Sequence, residues 1–325
     1  SVEGRPLVGI TLGRGPRTVT LTAGAHADEP VGPETLRTLV VAGLDRPDAW
    51  GDLLDRFTFR IVPHANPDGE ARNRPWVERW PDLGAYLALR DREPPGRDVE
   101  FGYPVMRPEN AAASRFLFPY APVALHASLH GMAFAEGALL LVEKRWAERV
   151  PDLKAGWGEA TRAAGLRLHD HDRGGDKGFR YYGPGFHSTP EGAAMRAHFK
   201  AAGDPATAGK FLLSSMELAV LTGREPETGE TPLCLVTELP LFVLAAPYAR
   251  APGVPALYHR LTERLPELTL AARRGDPPDA AVAEFGLRPL DLATAVRLQL
   301  TALDLGLAAV DQAGRVTVPD AIDGA

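Results

Sequence analysis

Two side chains near the start of the chain can hold a metal ion. His26 and Glu29 follow Thr18-Val19-Thr20-Leu21-Thr22, which alternates as a strand does, and a small-residue turn, Ala23-Gly24-Ala25. A helix-like run begins near Gly32-Pro33-Glu34. The turn after a strand is where α/β proteins place functional groups. The His-x-x-Glu spacing lets an imidazole and a carboxylate converge on one ion. Alone the motif is weak, because a helix dipole also favours an acidic residue beside a helix start. Its weight comes from polar residues that close other strands further along.

The elements that must position these residues alternate between strand and helix. Residues 5–12 and 17–23 read as strands around the turn Gly13-Arg14-Gly15-Pro16, and 33–44 carries Leu36, Leu39, Val40 and Leu44 at helical spacing. Residues 57–63 read as a strand that runs into the turn His64-Ala65-Asn66-Pro67-Asp68-Gly69. Residues 70–107 read as a long loop with one short helix near 82–91, and 108–118 as a helix. The strand from Val123 ends at Gly131 and carries His126 and His130 on one face. An apolar strand at 139–142, a helix at 151–165, a polar Gly-rich loop at 169–192 and a helix at 206–222 follow. The apolar strand Leu233-Cys234-Leu235-Val236-Thr237-Glu238 then ends in a carboxylate.

This order predicts an α/β fold with a mixed, mostly parallel central sheet and helices on both faces. We assign it to residues 1–249. Residues 254–273 and 289–309 read as amphipathic helices, so 250–325 is expected to be a helical C-terminal extension packed on that domain.

Composition narrows the function classes. The net charge of −6, with no basic stripe among aromatics, points away from nucleic acid. No apolar run reaches the roughly 18–20 residues that span a bilayer, so no membrane partner is expected. Cys234, the single cysteine, excludes an internal disulfide and a cysteine-based zinc site. Ser1-Val2-Glu3-Gly4-Arg5-Pro6 is not a signal peptide. Cytoplasmic residence is the default expectation, with export of a longer precursor left open. The run His169-Asp170-His171-Asp172 offers a second set of metal-capable groups, and it reads as a solvated loop ahead of a metal site.

The motif order resembles that of the zinc carboxypeptidases of the carboxypeptidase A type. It runs His26-x-x-Glu29, Asn66-Pro67-Asp68-Gly69 with arginines behind it, Ser128-Leu129-His130-Gly131, and Thr237-Glu238-Leu239-Pro240. The resemblance covers roughly residues 1–245 and implies a zinc-carboxypeptidase-like fold. It implies that zinc (Zn2+) is held by His26, Glu29 and His130, with a fourth position left for water. It makes Glu238 the catalytic carboxylate that takes a proton from that water and delivers it to the leaving nitrogen. His126 is then left to the core or to a supporting position. Arg74, ahead of Arg72, becomes the candidate that polarises the scissile carbonyl, in a loop that begins at Asn66. Asp98 matches the family residue that orients the first histidine ligand through its other ring nitrogen. Tyr181 and Tyr182 are nearest to the family's mobile-loop tyrosine.

One segment departs from the family. Where an Asn-Arg pair grips the substrate's terminal carboxylate, this chain has Glu100-Phe101. A carboxylate there repels an anionic terminus, although Arg107 or Arg180 can replace the lost arginine from another position. Hydrolysis of a peptide or amide bond is therefore supported better than carboxypeptidase specificity. The alternatives are an N-acyl amino acid deacylase of the succinylglutamate desuccinylase and aspartoacylase type, acting on an acylated amino acid, and a non-catalytic binding protein on the same fold.

Overall fold

A computed structural model describes residues 1–119, 122–245 and 255–313. The expected boundary at 249/250 and the final stretch 314–325 lie outside the described residues.

The strands β1 (Ile10–Leu12), β2 (Arg17–Ala23) and β3 (Phe57–Val62) bracket helix α1 (Val31–Asp45) and the single turn α2 (Leu53–Arg56). Helices α3 (Pro67–Val77), α4 (Leu83–Leu89) and α5 (Pro108–Leu117) lead to β4 (Val123–Ala135) and β5 (Gly137–Val142). Helix α6 (Pro151–Ala163), the short strands β6 (Arg167–Leu168), β7 (Tyr181–Gly183) and β8 (Phe186–Ser188), and α7 (Gly192–Ala201), α8 (Pro205–Ala208) and α9 (Ser215–Thr222) precede β9 (Leu233–Val243). Last come α10 (Ala256–Arg273), α11 (Asp279–Val282), β10 (Arg288–Pro289) and α12 (Leu292–Ala313).

The sheet runs β1-β3-β2-β4-β9-β5-β8-β7, with β10 on β9 and β6 on β5. Its centre, β3-β2-β4-β9, is parallel, while β1 and β5 join antiparallel. This is the mixed, mostly parallel sheet expected from the alternation of elements. The chain leaves β2 for β3 on one side and returns to β4 on the other. The carboxyl end of β2, beside the longer β4, therefore forms a switch point, where open α/β sheets bind ligands. Near-continuous burial along β2, β4 and β9 reflects helices on both faces, with α1 and α12 packed on the sheet on one side and α9 contacting β4 and β9.

Local chemistry explains where the sequence reading and the fold part. Asn66-Pro67-Asp68-Gly69 opens a helix rather than a free turn. The Asn66 side chain accepts from the Gly69 N–H, and Pro67 occupies the first helical position. The helix expected over 206–222 divides because Ser214 and Glu217 form a reciprocal capping box that starts α9 afresh. Helix α7, from Gly192 to Ala201, lies inside and beyond the stretch read as loop.

The two expected amphipathic helices are α10 and α12. Residues Leu292–Gln312 of α12 are long and apolar enough to cross a membrane. Here that helix packs against α1, α6, β4 and β9. Its buried Gln299 amide donates to the His130 carbonyl and the Thr237 hydroxyl, both at 3.0 Å. Arg17 of β2 donates to the Val310 carbonyl at 2.7 Å.

Candidate metal centre and active site

Helix α1 can start close under the sheet because Gly24 breaks β2 at positive φ (+70°). A Cβ there would stand 2.5 Å from the His64 ring. The chain then folds back, with the Glu29 N–H donating to the His26 carbonyl at 3.2 Å. That tight turn aims His26 and Glu29 at His130, in the middle of β4 just beyond the end of β2, because β4 runs on past its expected end at Gly131 to Ala135.

There the carboxylate meets both imidazoles. Glu29 Oε1 lies 3.0 Å from His26 Nδ1, and Glu29 Oε2 lies 3.0 Å from His130 Nδ1. Donor atoms of His26, Glu29 and His130 all fall within 4.8 Å of one another. The Gly131 N–H donates to Glu29 Oε2 at 3.2 Å, and Arg92 Nη1 donates to Glu29 Oε1 at 2.9 Å. Arg92 is fixed in turn by Asp28, which also accepts from Arg90 Nε at 2.6 Å. Parallel pairing of β4 with β9 places Glu238 directly beside His130. Along β9 only Glu238 is partly exposed.

Each histidine's other nitrogen has a partner. Ser128, two residues back on the same strand face, lies 2.8 Å from His130 Nε2. His26 Nε2 lies 3.0 Å from Glu100 and 4.0 Å from Asp98. Glu100 is therefore the nearer partner of the first histidine, ahead of the expected Asp98. The Asp98 carboxylate instead accepts, at 3.4 Å, from the Phe101 N–H in the turn that carries Glu100.

Opposite charges crowd this cluster. Burial disfavours the charged imidazole of His26, but Glu29 and Glu100 overcome it and hold the ring well above the usual histidine range. His130 is raised in the same way, against burial, by its hydrogen bond to Glu29. Glu29 falls well below its usual range, because its histidine partners outweigh desolvation. Burial, with Glu29 and Glu100 close by, pushes the Glu238 carboxyl up to about 8. Glu29, Asp98, Glu100 and Glu238 thus crowd a site whose described cations are Arg92 and the two imidazoles. A divalent cation would take the place of the protons that the imidazoles and Glu238 hold against these carboxylates, and the imidazole–carboxylate donor set suits zinc.

Several residues expected at the site lie elsewhere. Gly69, Asn73 and Trp76 form the buried face of α3, so Arg72 and Arg74 flank it and point outward. Arg72 pairs with Glu3, Asp91 and Glu93. Arg74 is 69% exposed, lies 4.0 Å from Glu78, and lines a cavity of about 300 Å³ with Ala27 and Pro240. The nearest arginine is Arg92, and it backs Glu29 rather than facing an open position. Asn66 caps α3 and donates to Glu93 at 2.8 Å. Tyr181 bonds Asp170 and packs its ring 5.3 Å from that of His187, while Tyr182 lies under Lys154. Phe101 is buried against Phe211, with ring centroids 5.4 Å apart. His126 sits in the core between Thr20 at 2.8 Å and Ser215 at 2.9 Å. Arg92 and Glu100 were the residues missed as site partners. No local motif marks Arg92. Glu100 could have been found by asking which carboxylate best replaces the departed family residue.

The same stretch that contributes His26 and Glu29 decides the comparison with known proteins. Residues 1–94 match the zinc carboxypeptidase family. The matched segment holds the His26/Glu29 turn and Arg92, while His130 and Glu238 lie beyond it. The chain is 28% identical over 101 residues to a carboxypeptidase B of Astacus astacus. That alignment takes in 29% of this chain and 33% of the relative, so the chain spans about a third of the length of the curated carboxypeptidase it matches. Among solved structures, a metallo-carboxypeptidase from Burkholderia cenocepacia is 16% identical, with 96% of this chain and 62% of that one covered, at a TM-score of 0.46. Carboxypeptidase A from Helicoverpa armigera is 13% identical over 97% of this chain and 68% of that one, at a TM-score of 0.48.

Proposed function

We propose that this chain is a zinc-dependent hydrolase that cleaves a peptide or amide bond. His26, Glu29 and His130 hold the ion and Glu238 is the general base. The observation that carries this reading is the convergence of His26 Nδ1, both Glu29 oxygens and His130 Nδ1 at the switch point, with Glu238 in register beside His130. Zinc bound there supplies Lewis acidity, which makes a nearby water easier to deprotonate and polarises a carbonyl.

The protein's own groups do the remaining work. Gly131 and Arg92 lock the Glu29 carboxylate between the imidazoles. Glu100 and Ser128 fix the far nitrogens of the two rings. Glu238 accepts a proton from the attacking water on its carboxylate and returns it to the leaving nitrogen. Glu238, held up to about 8 by burial and the nearby Glu29 and Glu100, would ionise more readily and serve as a base at neutral pH once a cation offset those carboxylates.

The specificity proposed is for a bond with no free carboxylate next to it. Glu100 stands beside His26 and Phe101 is turned into the core, so neither offers a cationic grip for a terminal carboxylate. This argues equally against N-acyl amino acids, whose carboxylate is free. A non-catalytic metal-binding role has one observation in its favour, the outward orientation of Arg72 and Arg74.

The test is Glu238→Gln against wild type on peptides with amidated and free C-termini and on N-acyl amino acids. The variant should keep about one zinc in this site and lose about 10²–10⁴-fold in turnover, and wild type should favour the amidated peptides. A Glu238→Gln protein with wild-type turnover sinks the mechanism. A metal-loaded wild type that turns over nothing on the panel makes the binding role the better reading.

A further inference from the structure

A second group of metal-capable side chains lies at the far edge of the sheet. Glu136 sits in the one-residue turn between β4 and β5, and its Oε1 accepts from the Asp170 N–H at 3.0 Å. Strand β6 pairs with the start of β5, and the His169 N–H donates to the Ala138 carbonyl at 2.9 Å. These bonds draw His169 and His171 over Glu136. Glu136 Oε1 lies 3.1 Å from His169 Nδ1 and 2.9 Å from His171 Nε2, and the two imidazole centroids are 4.1 Å apart. His169 and His171 are each 4% exposed and Glu136 is 8% exposed, so the alternating run is no solvated loop. Asp170 and Asp172 turn away, to the Tyr181 hydroxyl and the Gly174 N–H.

The pocket holds buried ring nitrogens that no protein group satisfies. His169 Nδ1 is the ring nitrogen aimed at Glu136, where it shares a proton with the carboxylate or, once deprotonated, offers its lone pair to an ion, and its Nε2 is buried without a partner. His171 Nε2 approaches Glu136 closely but without hydrogen-bond geometry. His187 donates Nε2–H to the His171 carbonyl at 2.9 Å, which leaves its buried Nδ1 lone pair unpartnered as well. Buried acceptors with no donor are costly. A cation held by Glu136 Oε1, His169 Nδ1 and His171 Nε2 would take the place of the protons among them and give His171 Nε2 a partner. Tetrahedral donors at about 2.1 Å from an ion stand about 3.4 Å apart, close to the separations seen here.

We propose that Glu136, His169 and His171 form a second metal site for a divalent transition ion of zinc type, separate from the His26/Glu29/His130 centre. The ion staples the segment ahead of β7 to the β4–β5 turn. His₂Glu without thiolate suits zinc, cobalt or nickel better than calcium or magnesium.

The experiment is metal counting on the full chain after zinc loading and desalting. Wild type should hold about two ions per chain, His26→Ala/Glu29→Ala about one, Glu136→Gln/His171→Ala about one, and the combined variant none. A wild type holding one ion that His26→Ala/Glu29→Ala abolishes overturns the proposal. One zinc lost only from Glu136→Gln/His171→Ala supports this site and refutes the first, so the two readings fail separately. Should Glu136→Gln/His171→Ala not fold, cobalt titration of the His26→Ala/Glu29→Ala protein still decides. About one equivalent with tetrahedral visible bands supports the site, and no cobalt uptake overturns it.

Discussion

Replacing Gln299 tests whether the C-terminal helices are part of the catalytic fold. Gln299 is fully buried on α12, against the middle of β4 and β9, where His130 pairs with Glu238. Its amide donates to the His130 carbonyl and to the Thr237 hydroxyl, each at 3.0 Å, and its Oε1 accepts from Thr35 at 2.6 Å. Gln299→Leu keeps most of the volume and removes all three bonds. At about 1 kcal/mol per neutral hydrogen bond the loss is about 3 kcal/mol. The His130 carbonyl and the Thr237 hydroxyl both lose a donor, so repacking offsets little of it. Thr35→Val removes one of the same bonds and should cost about 1 kcal/mol alone. The double variant should fall short of additivity by roughly that amount. Urea unfolding followed by tryptophan fluorescence and far-UV circular dichroism gives each value. A loss under about 0.5 kcal/mol for Gln299→Leu, or α12 melting in a separate earlier transition, would refute the claim that the helix holds these strands in register. Zinc affinity measured on the same protein should fall too, because His130 shares the perturbed strand.

Three further outcomes are expected. Glu100→Gln removes the charge from the partner of His26 Nε2, so zinc affinity by competition with a chelator should drop about 10–100-fold, and the handicap of free C-terminal acids should shrink. Gly32→Ala would place a Cβ 2.2 Å from the Leu129 carbonyl, where α1 crosses β4; the helix must back away, at about 1–3 kcal/mol read from the denaturation midpoint. His126 is buried and neutral, with its pKa pushed down to about 3. Its contribution to stability is full above the unfolded value of about 6.5 and is lost as pH falls below it, about 2 kcal/mol by pH 5. Replacing it with Gln should flatten the pH dependence between 7.5 and 5 relative to wild type, with the titration of the metal ligands common to both proteins.

Sequence alone determined what depends on neighbours along the chain. His26 and Glu29 meet because one tight turn separates them, and the β2, α1, β3, β4 and β9 segments follow from apolar periodicity, although β4 and β9 run on past the His130-Gly131 and Glu238 at which they were expected to end. Asn66-Pro67 was legible in principle as a cap and first helical residue, yet its turn-like composition hid the helix behind it. That helix decides the fate of Arg72 and Arg74. Their chain distance from Asn66 differs slightly from the family's, and the face buried by Gly69, Asn73 and Trp76 leaves both outside.

Only tertiary structure could bring Arg92 onto Glu29 across 63 residues, or choose Glu100 over Asp98 by an ångström at His26 Nε2. The same holds for Glu136 beneath His169 and His171, where the partners come from a strand turn and a loop more than thirty residues apart. Spacing along a chain sets which groups share a turn or a strand face. Which of them share an ion or a proton depends on sheet order and helix rotation, and these are set by burial of the whole core.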